Sequence, residues 1–266
     1  MNSNKEIKEI VKKKYGEIAT QAGSCCGPTS GTCCGTGDPG VNFSEGYEQL
    51  DGYVPDADLG LGCGLPTETA GIKVGGTVLD LGSGAGNDLF VARAETGPSG
   101  RLIGLDMAPE MVEKALENAN RMGFDNVEFH LGEIEEMPFP DNEVDVVVSN
   151  CVLNLVPDKA AAFAEIHRVL KPGGHFSISD IVLEGELPPA LEQAAIAYVG
   201  CVAGAQQKGE YLHTIEEAGF ANVEVLKLRV IELPTALLES ILGEDGAGLF
   251  LDSGVRVLSI TTRSKK

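Results

Sequence analysis

The chain has seven cysteines, and three of them, Cys63, Cys151 and Cys201, come from well-separated parts of the sequence. An odd number of cysteines cannot be fully paired within one chain, and an acidic chain of 266 residues does not need disulfides to fold. None of the four histidines is close in sequence to a cysteine, so no acid–base pair stands beside these thiols. Three convergent thiolates without a histidine suit a soft, thiophilic centre with trigonal sulfur coordination. Taken singly, Cys151 and Cys201 could instead be small buried hydrophobic residues.

The other four cysteines form two adjacent pairs, Cys25–Cys26 and Cys33–Cys34. They lie in the run GSCCGPTSGTCCGTGDPG, residues 23–40, in which Asp38 is the only charged residue. A segment of this composition has almost nothing to bury, so we expect a mobile surface loop. Thiols concentrated on such a loop indicate metal binding, redox chemistry or delivery of a soft ligand. A loose zinc or copper site, or a set of scavenging thiols, is the alternative.

A glycine-rich turn joins the first strand of the predicted sheet to the next helix. The sequence VLDLGSGAGND places Gly82, Gly84 and Gly86 in a G-x-G-x-G arrangement, with Asp80 two residues before the first glycine. Glycines at these positions allow a tight turn and bring backbone N–H groups against a ligand at a helix N-terminus. The fingerprint of dinucleotide-binding proteins is G-x-G-x-x-G, which this turn does not match. The spacing weakens an interpretation as an NAD site, and a purely structural turn is the alternative.

Polar residues also follow the next strands of the predicted sheet. Asp106 ends the second strand, in LIGLDMAPEM, where a carboxylate can accept hydrogen bonds from both hydroxyls of a ribose. Glu133 and Ile134 follow the third strand, in GEIEEMPFPD, and could flank an adenine ring. Asn150 closes the fourth strand and should face the same crevice. The alternative for Asp106 is an ordinary carboxylate at the end of a strand.

Apolar, β-rich stretches alternate with helical patterns from about Val74 onward. The stretches TVLDLG, RLIGLD, NVEFHLG, VDVVVSN and HFSISDIV predict strands, and ANVEVLKLRV and GVRVLSITTR supply two final strands. Strands rich in Val, Ile and Leu that are separated by amphipathic helices indicate βαβ units and a parallel sheet. The predicted fold class is therefore α/β, with a mostly parallel seven-stranded sheet and helices on both faces.

Helical periodicity predicts helices over residues 5–20, around 188–199 and over 208–218. In another helical pattern, PEMVEKALENANRM, five apolar residues fall on one side: Met111, Ala115, Leu116, Ala119 and Met122. Pro157 fits the first turn of the helix in PDKAAAFAEIHRVL. The sequence KPGG at 171–174 is expected to end that helix and to turn into the next strand.

The charge balance limits the partners of the chain. Lys and Arg total 20 and Asp and Glu total 40, which gives a formal charge of −20 and argues against binding nucleic acid. No stretch approaches the roughly 18 consecutive apolar residues of a transmembrane helix. Charges lie in the N-terminal stretch MNSNKEIKEIVKKKY, where a signal peptide would need apolar residues. We expect a cytoplasmic monomer that binds neither a membrane nor nucleic acid.

The glycine turn, the acid that ends the second strand and the GEIEEMPF segment together resemble the class I S-adenosylmethionine-dependent methyltransferases over roughly residues 70–182. This resemblance implies a Rossmann-like fold. It implies that Gly82 and Gly84 approach the methionine part of S-adenosylmethionine, that Asp106 binds the ribose, and that Glu133 and Ile134 lie beside the adenine. The full set of residues expected to bind this cofactor is Asp80, Gly82, Ser83, Gly84, Asn87, Asp106, Met107, Glu133, Ile134 and Asn150.

The motifs GLGCGLPTETAGI, VLDLGSGAGND, SNCVLNL and YVGCVAGA resemble the arsenite S-adenosylmethionine methyltransferases, from the N-terminal helix to about residue 225. In that family the positions that match Cys63, Cys151 and Cys201 bind trivalent arsenic, and an additional N-terminal cysteine takes part in disulfide exchange during turnover. The resemblance implies an arsenite methyltransferase, with arsenite or its thiol conjugate as substrate and glutathione or thioredoxin as the thiol reductant. Some family members have a longer C-terminal extension than this sequence, so the number of methyl groups added stays open.

This resemblance also implies how the chain is organised. Residues 1–66 are expected to form an N-terminal helix and a cysteine-rich flexible lid, and residues 67–266 a methyltransferase domain with substrate-cap helices at about 184–221. Tyr15 and Tyr47 either help to close the site or serve packing. The three separated cysteines should meet over the carboxyl edge of the sheet, facing the pocket for the methyl donor. Two alternatives are a methyltransferase for a small organic acceptor, such as a quinone or lipid precursor, and a non-catalytic metalloid-binding protein.

Overall fold

The computed structural model describes residues 4–21, 46–191, 202 and 204–266. Its strands are β1 (Thr77–Leu81), β2 (Arg101–Asp106), β3 (Val127–Leu131), β4 (Val144–Asn150), β5 (Leu170–Glu184), β6 (Ala221–Ile231) and β7 (Arg256–Lys265). Its α-helices are α1 (Asn4–Gln21), α2 (Pro66–Ala70), α3 (Asn87–Thr96), α4 (Pro109–Met122), α5 (Lys159–Val169), α6 (Lys208–Glu217) and α7 (Thr235–Asp252). Short 3-10 turns occupy Tyr47–Gln49, Pro55–Ala57 and Leu153–Leu155. Within the described ranges, no helix is both long enough and apolar enough to cross a membrane.

The strands form one sheet of seven, in the order β3-β2-β1-β4-β5-β7-β6. β7 runs antiparallel to both of its neighbours, and the other ladders are parallel, which confirms the mostly parallel sheet. The order of strands reverses where β1 pairs with β4. In open α/β sheets, ligands bind at such a point, in the crevice outside the carboxyl ends of the strands. The glycine turn follows β1 there, and Asn150 ends β4 beside it.

Alternate residues of each strand face two different helical layers, because successive side chains of a strand point to opposite faces. Val78 of β1 packs with Leu89 of α3 in one buried cluster. Its neighbour Leu79 packs with Phe163 of α5 and Ile215 of α6 in another. The sheet is therefore covered by helices on both faces, as predicted.

α1 confirms the helix predicted over residues 5–20, and α6 confirms the helix predicted over 208–218. The apolar side predicted for α4 is partly wrong, since Leu116 and Met122 are 42% and 46% exposed. The buried side of α4 instead includes Asn118, whose side-chain amide donates to the Ala85 carbonyl at 3.1 Å. A polar residue takes an inward position here because the helix packs against the backbone of the glycine turn.

Two predicted features at the start and end of α5 are also wrong. Pro157 lies before the helix, and Asp158 is the N-cap, with its carboxylate accepting a hydrogen bond from the Ala161 N–H at 2.9 Å. The KPGG segment lies inside β5 rather than before it, since the helix ends at Val169 and the strand begins at the next residue. A register shift in the pairing with β4 absorbs these extra residues.

α7 was not predicted from the sequence, because its apolar residues do not recur on one side. Gly243, with φ of 73°, interrupts the helix, so the apolar residues before and after it do not follow one continuous helical period. The predicted loop at 23–40 lies outside the described residues. The same holds for most of the helix predicted around 188–199, of which only the first residues are described.

Candidate active site

A cavity opens at the carboxyl edge of the sheet, beside the junction of β1 and β4. All ten residues predicted to bind the cofactor line it: Asp80, Gly82, Ser83, Gly84, Asn87, Asp106, Met107, Glu133, Ile134 and Asn150. Cys151 and Gly62 line the same cavity. One continuous space therefore reaches from the glycine turn to one of the predicted arsenic ligands.

The glycine turn depends on backbone conformations that side chains disfavour. Gly82, Gly84 and Gly86 have φ values of 65°, 51° and 97°, all in the left-handed region that glycine adopts without strain. A Cβ on Gly82 would lie 2.4 Å from Cγ2 of Val152, so this glycine also permits close packing. A Cβ on Gly84 would meet only the Met111 sulfur, at 4.0 Å, because Gly84 borders open space. The turn thus presents bare backbone to the cavity.

Asp106 is tied to the turn by hydrogen bonds. Its Oδ2 accepts from the Gly84 N–H and its Oδ1 from the Ala108 N–H, each at 2.9 Å. Burial raises the pKa of Asp106, although these backbone hydrogen bonds lower it. The Met107 N–H donates to this carboxylate as well, but a carboxylate has about four acceptor sites, so Asp106 can still accept from a bound ligand.

Three buried polar atoms on the cavity wall have no hydrogen-bond partner in the described part of the chain: Asp80 Oδ2, Ser83 Oγ and Asn87 Oδ1. Buried polar groups in proteins are nearly always hydrogen-bonded, so a polar ligand here would satisfy them. S-adenosylmethionine carries amino, carboxylate and hydroxyl groups that need such partners. The orphaned atoms and the open space before Gly84 therefore fit this cofactor.

α1 closes one side of the cavity, with Lys8, Val11 and Tyr15 on the wall. The Lys8 ammonium lies 2.5 Å from a carboxylate oxygen of Glu133 and 3.0 Å from one of Glu135. Lys8 was not predicted as a site residue, because nothing local to α1 shows which distant carboxylates it meets. The apolar stripe on α1 was the available signal that this helix covers something.

Asn150 joins the end of β4 to the segment that carries Cys63. Its Oδ1 accepts from the backbone N–H groups of Cys63 at 3.0 Å and Gly64 at 3.3 Å, and its Nδ2 donates to the Gly64 carbonyl at 2.7 Å. Nδ2 also contacts Asp88 at 3.2 Å and the Tyr47 hydroxyl. One amide therefore fixes the backbone on both sides of the Cys63 side chain.

Tyr47 and Asp88 complete this group on the cavity wall. The Tyr47 hydroxyl donates to the Asp88 carboxylate at 2.9 Å. Burial raises the pKa of Asp88 to about 6, although hydrogen bonds from Tyr47 and Asn150 lower it. Burial and the nearby Asp88 raise the pKa of Tyr47 well above its usual value, so its hydroxyl stays a donor at neutral pH. The sequence did not indicate Asp88 as a site residue, because it directly follows the turn, where an acidic residue in the first turn of a helix is ordinary.

Cys63 and Cys151 pack in one buried cluster, together with Ile181, Val202 and Val257 among others. Cys63 is fully buried, and its carbonyl accepts from the Ser259 hydroxyl and from Arg229. Cys151 is 3% exposed and has φ of 61°, which is uncommon for a residue other than glycine and recurs at functional sites. Its N–H donates to the Ser179 carbonyl at 2.8 Å, which holds this backbone in place.

The structure thus brings two of the three separated cysteines together at the predicted edge of the sheet. Cys201 lies outside the described residues, and so do Cys25, Cys26, Cys33 and Cys34. Val202, which directly follows Cys201 in the chain, is 4% exposed and packs in the cluster of Cys63 and Cys151. Within residues 4–21, 46–191, 202 and 204–266, no group of three side chains could hold a metal ion.

The chain resembles known methyltransferases in sequence and in structure. A family model described as a methyltransferase domain matches residues 72–219. An arsenite methyltransferase from Halobacterium salinarum is 44% identical over 230 residues, which cover 83% of this chain and 59% of the relative. One from Aquipseudomonas alcaligenes is 36% identical, over 89% of this chain and 68% of the relative.

A solved arsenic(III) S-adenosylmethionine methyltransferase from Chlamydomonas reinhardtii superposes with a TM-score of 0.66 and 34% identity. The match covers 77% of this chain and 67% of that one. The chain spans about three fifths to two thirds of the length of these relatives. It belongs to the S-adenosylmethionine-dependent methyltransferases, in the family of the arsenite methyltransferases.

Proposed function

We propose that this chain transfers a methyl group from S-adenosylmethionine to trivalent arsenic held by Cys63, Cys151 and Cys201. The observation that carries the proposal is the position of Cys151. It lines the cofactor cavity and packs against Cys63 in a buried cluster that includes the neighbour of Cys201. A small organic acceptor would not need sulfur ligands at this place.

The proposed chemistry needs little from the protein beyond positioning. S-adenosylmethionine supplies a methyl group on a sulfonium, which makes that methyl electrophilic. Arsenic(III) bound to thiolates keeps a lone pair and is itself the nucleophile, so the site needs no general base. The cysteines would hold arsenic in line behind the methyl group at a near-attack distance of about 3–3.5 Å. The burial of Cys63 and Cys151 excludes water, which would otherwise compete for arsenic.

The remaining residues of the cavity would orient the methyl donor. The bare backbone at Gly82 and Gly84 would approach its methionine part, and Asp106 would accept hydrogen bonds from the ribose hydroxyls. Glu133 and Ile134 would flank the adenine. Asp80, Asp88 and Asp106 together give the cavity an acidic character that complements a sulfonium cation.

Methyl transfer uses the lone pair and raises arsenic formally from the trivalent to the pentavalent state. Two electrons are then needed to return it to the trivalent state. Two thiols can supply them by forming one disulfide, which an external thiol such as glutathione or a thioredoxin would reset. We assign this reductive role to the pairs Cys25–Cys26 and Cys33–Cys34. The acceptor would be arsenite or its thiol conjugate, and the site of action the cytoplasm.

Incubation with labelled S-adenosylmethionine and arsenite tests the proposal. We expect labelled methylarsenicals from the unaltered chain, and loss of turnover in each single variant Cys63→Ser, Cys151→Ser and Cys201→Ser. Affinity for S-adenosylmethionine serves as the internal control and should be retained in all three. Wild-type turnover in any one variant would refute the three-thiolate site. Binding of arsenite without a methylated product would instead identify a metalloid-binding protein.

A further inference from the structure

A buried group of ionisable side chains lies beside the cysteine cluster and has no part in the chemistry described so far. It consists of Lys159, Asp180 and Tyr211, which are 9%, 1% and 1% exposed. The Tyr211 hydroxyl donates to Asp180 Oδ2 at 3.1 Å, and its ring packs edge-on against Phe163. The three side chains lie outside the set that lines the cavity, so they do not contact the cofactor site.

This group holds the short turn that follows Cys151. The Lys159 ammonium donates to the carbonyls of Asn154 at 3.2 Å and Val156 at 3.1 Å. The backbone N–H of Asn154 donates to the Asp180 carboxylate. Asn154 is three residues after Cys151 and is 1% exposed. The peptide groups of Asn154 are therefore held by the Lys159 ammonium on the carbonyl side and by the Asp180 carboxyl group on the N–H side, where burial raises the pKa of Asp180 to about 7.

The segment that follows Cys201 meets the same point from the other side. A Cβ on Gly204 would lie 1.8 Å from the Asn154 carbonyl oxygen, so the two backbones touch. Val202 of this segment packs in the cluster with Cys63 and Cys151. Asn154 is thus the place where the chain after Cys151 and the chain after Cys201 meet.

We propose that Lys159, Asp180 and Tyr211 are positioning residues for the arsenic site, acting through the backbone of Asn154 on the turn after Cys151. They set how tightly trivalent arsenic is held without touching it. This proposal rests on the proposed function. Hydrogen bonds to ions are directional and resist displacement, whereas apolar packing alone would allow the turn to shift.

The test uses the full chain with its four N-terminal cysteines changed to serine, so that Cys63, Cys151 and Cys201 are the remaining thiols. In this parent we compare Lys159→Met and Tyr211→Phe. The matched control is Lys171→Met, since Lys171 of β5 pairs with Asp145, a residue of β4 outside the cavity. Calorimetry measures the affinities for arsenite and for S-adenosylmethionine, and X-ray absorption counts the sulfur neighbours of bound arsenic.

We expect Lys159→Met to weaken arsenite binding at least about tenfold and Tyr211→Phe to weaken it several-fold, with fewer than three sulfur neighbours. Affinity for S-adenosylmethionine should stay within about threefold, because the glycine turn and Asp106 have their own hydrogen bonds. The Lys171→Met control should match the parent. If Lys159→Met does not fold, Tyr211→Phe decides, because it keeps the ring packed on Phe163.

Unchanged arsenite affinity with three sulfur neighbours in the folded variants would overturn the proposal. Equal losses of both affinities, or a similar loss in the control, would do so as well, since they indicate general destabilisation. A parent that does not bind arsenite would refute the proposed function itself and this proposal with it. A parent that binds arsenite while the variants bind equally well would refute only the positioning role.

Discussion

The first two glycines of the turn after β1, Gly82 and Gly84, should lose different amounts of stability when each is replaced by alanine. Gly82 and Gly84 both have positive φ, so an alanine at either position costs about 1–2 kcal/mol in backbone strain. At Gly82 the new Cβ would also lie 2.4 Å from Val152, and overpacking of this kind costs about 1–3 kcal/mol more. At Gly84 the nearest atom is 4.0 Å away, so no such cost is added.

Gly82→Ala should therefore lose about 2–5 kcal/mol of stability and Gly84→Ala about 1–2 kcal/mol. For a chain of this size the losses correspond to Tm decreases of very roughly 4–20 °C and 2–8 °C. Thermal melts without cofactor measure the difference. Gly84→Ala should instead show the larger loss of S-adenosylmethionine affinity relative to its loss of stability, because its Cβ borders the cavity.

A second substitution checks the cause. Val152→Ala in the Gly82→Ala chain removes the clashing methyl groups. The double variant should therefore lose less stability than the sum of the losses in the two single variants. Equal Tm decreases for Gly82→Ala and Gly84→Ala, or strict additivity with Val152→Ala, would refute this explanation of the turn.

Three further outcomes follow from the site. Because Asp88 has a pKa of about 6 and a sulfonium favours its ionised form, the affinity for S-adenosylmethionine should rise about tenfold between pH 5 and 7. Calorimetry should find a much smaller rise for S-adenosylhomocysteine, which lacks the sulfonium, and equal rises for both ligands would exclude Asp88 as the cause. Asn150→Ala removes the hydrogen bonds to the backbone around Cys63, so the affinity for arsenite should fall at least about tenfold. An unchanged arsenite affinity in a calorimetric titration would show that these hydrogen bonds do not position Cys63. Replacing the four N-terminal cysteines by serine should slow multiple turnovers more than a single turnover in rapid-quench assays, and equal rates in both regimes would argue against their reductive role.

The sequence predicted the sheet and the group of residues that line the cavity at its carboxyl edge, for a physical reason. Strand ends and glycine turns are local features, and the carboxyl ends of parallel strands meet at one edge, so Asp106 and Asn150 had to come close together. Cys63 and Cys151 were brought together by the same reasoning about that edge. The prediction for Cys201 concerns a residue outside the described ranges and stays a prediction.

The contacts that could not be predicted are those set by tertiary packing. Nothing in α1 shows that Lys8 meets Glu133, and nothing near Lys159 shows that its ammonium is buried on the turn after Cys151. α7 was missed because it lacks one apolar side. Leu116 was predicted to lie on the buried side of α4, because a periodic pattern of apolar residues cannot show that the polar Asn118 packs against the glycine turn.

A crystal structure of the chain with arsenite and S-adenosylhomocysteine tests the central claim most directly. Anomalous scattering at the arsenic edge would locate the metalloid. The account predicts one strong peak bonded to the sulfurs of Cys63, Cys151 and Cys201, facing the sulfur of the bound cofactor product across the cavity. A peak bonded only to the N-terminal cysteine pairs, or one on the far side of the sheet from the glycine turn, would contradict it.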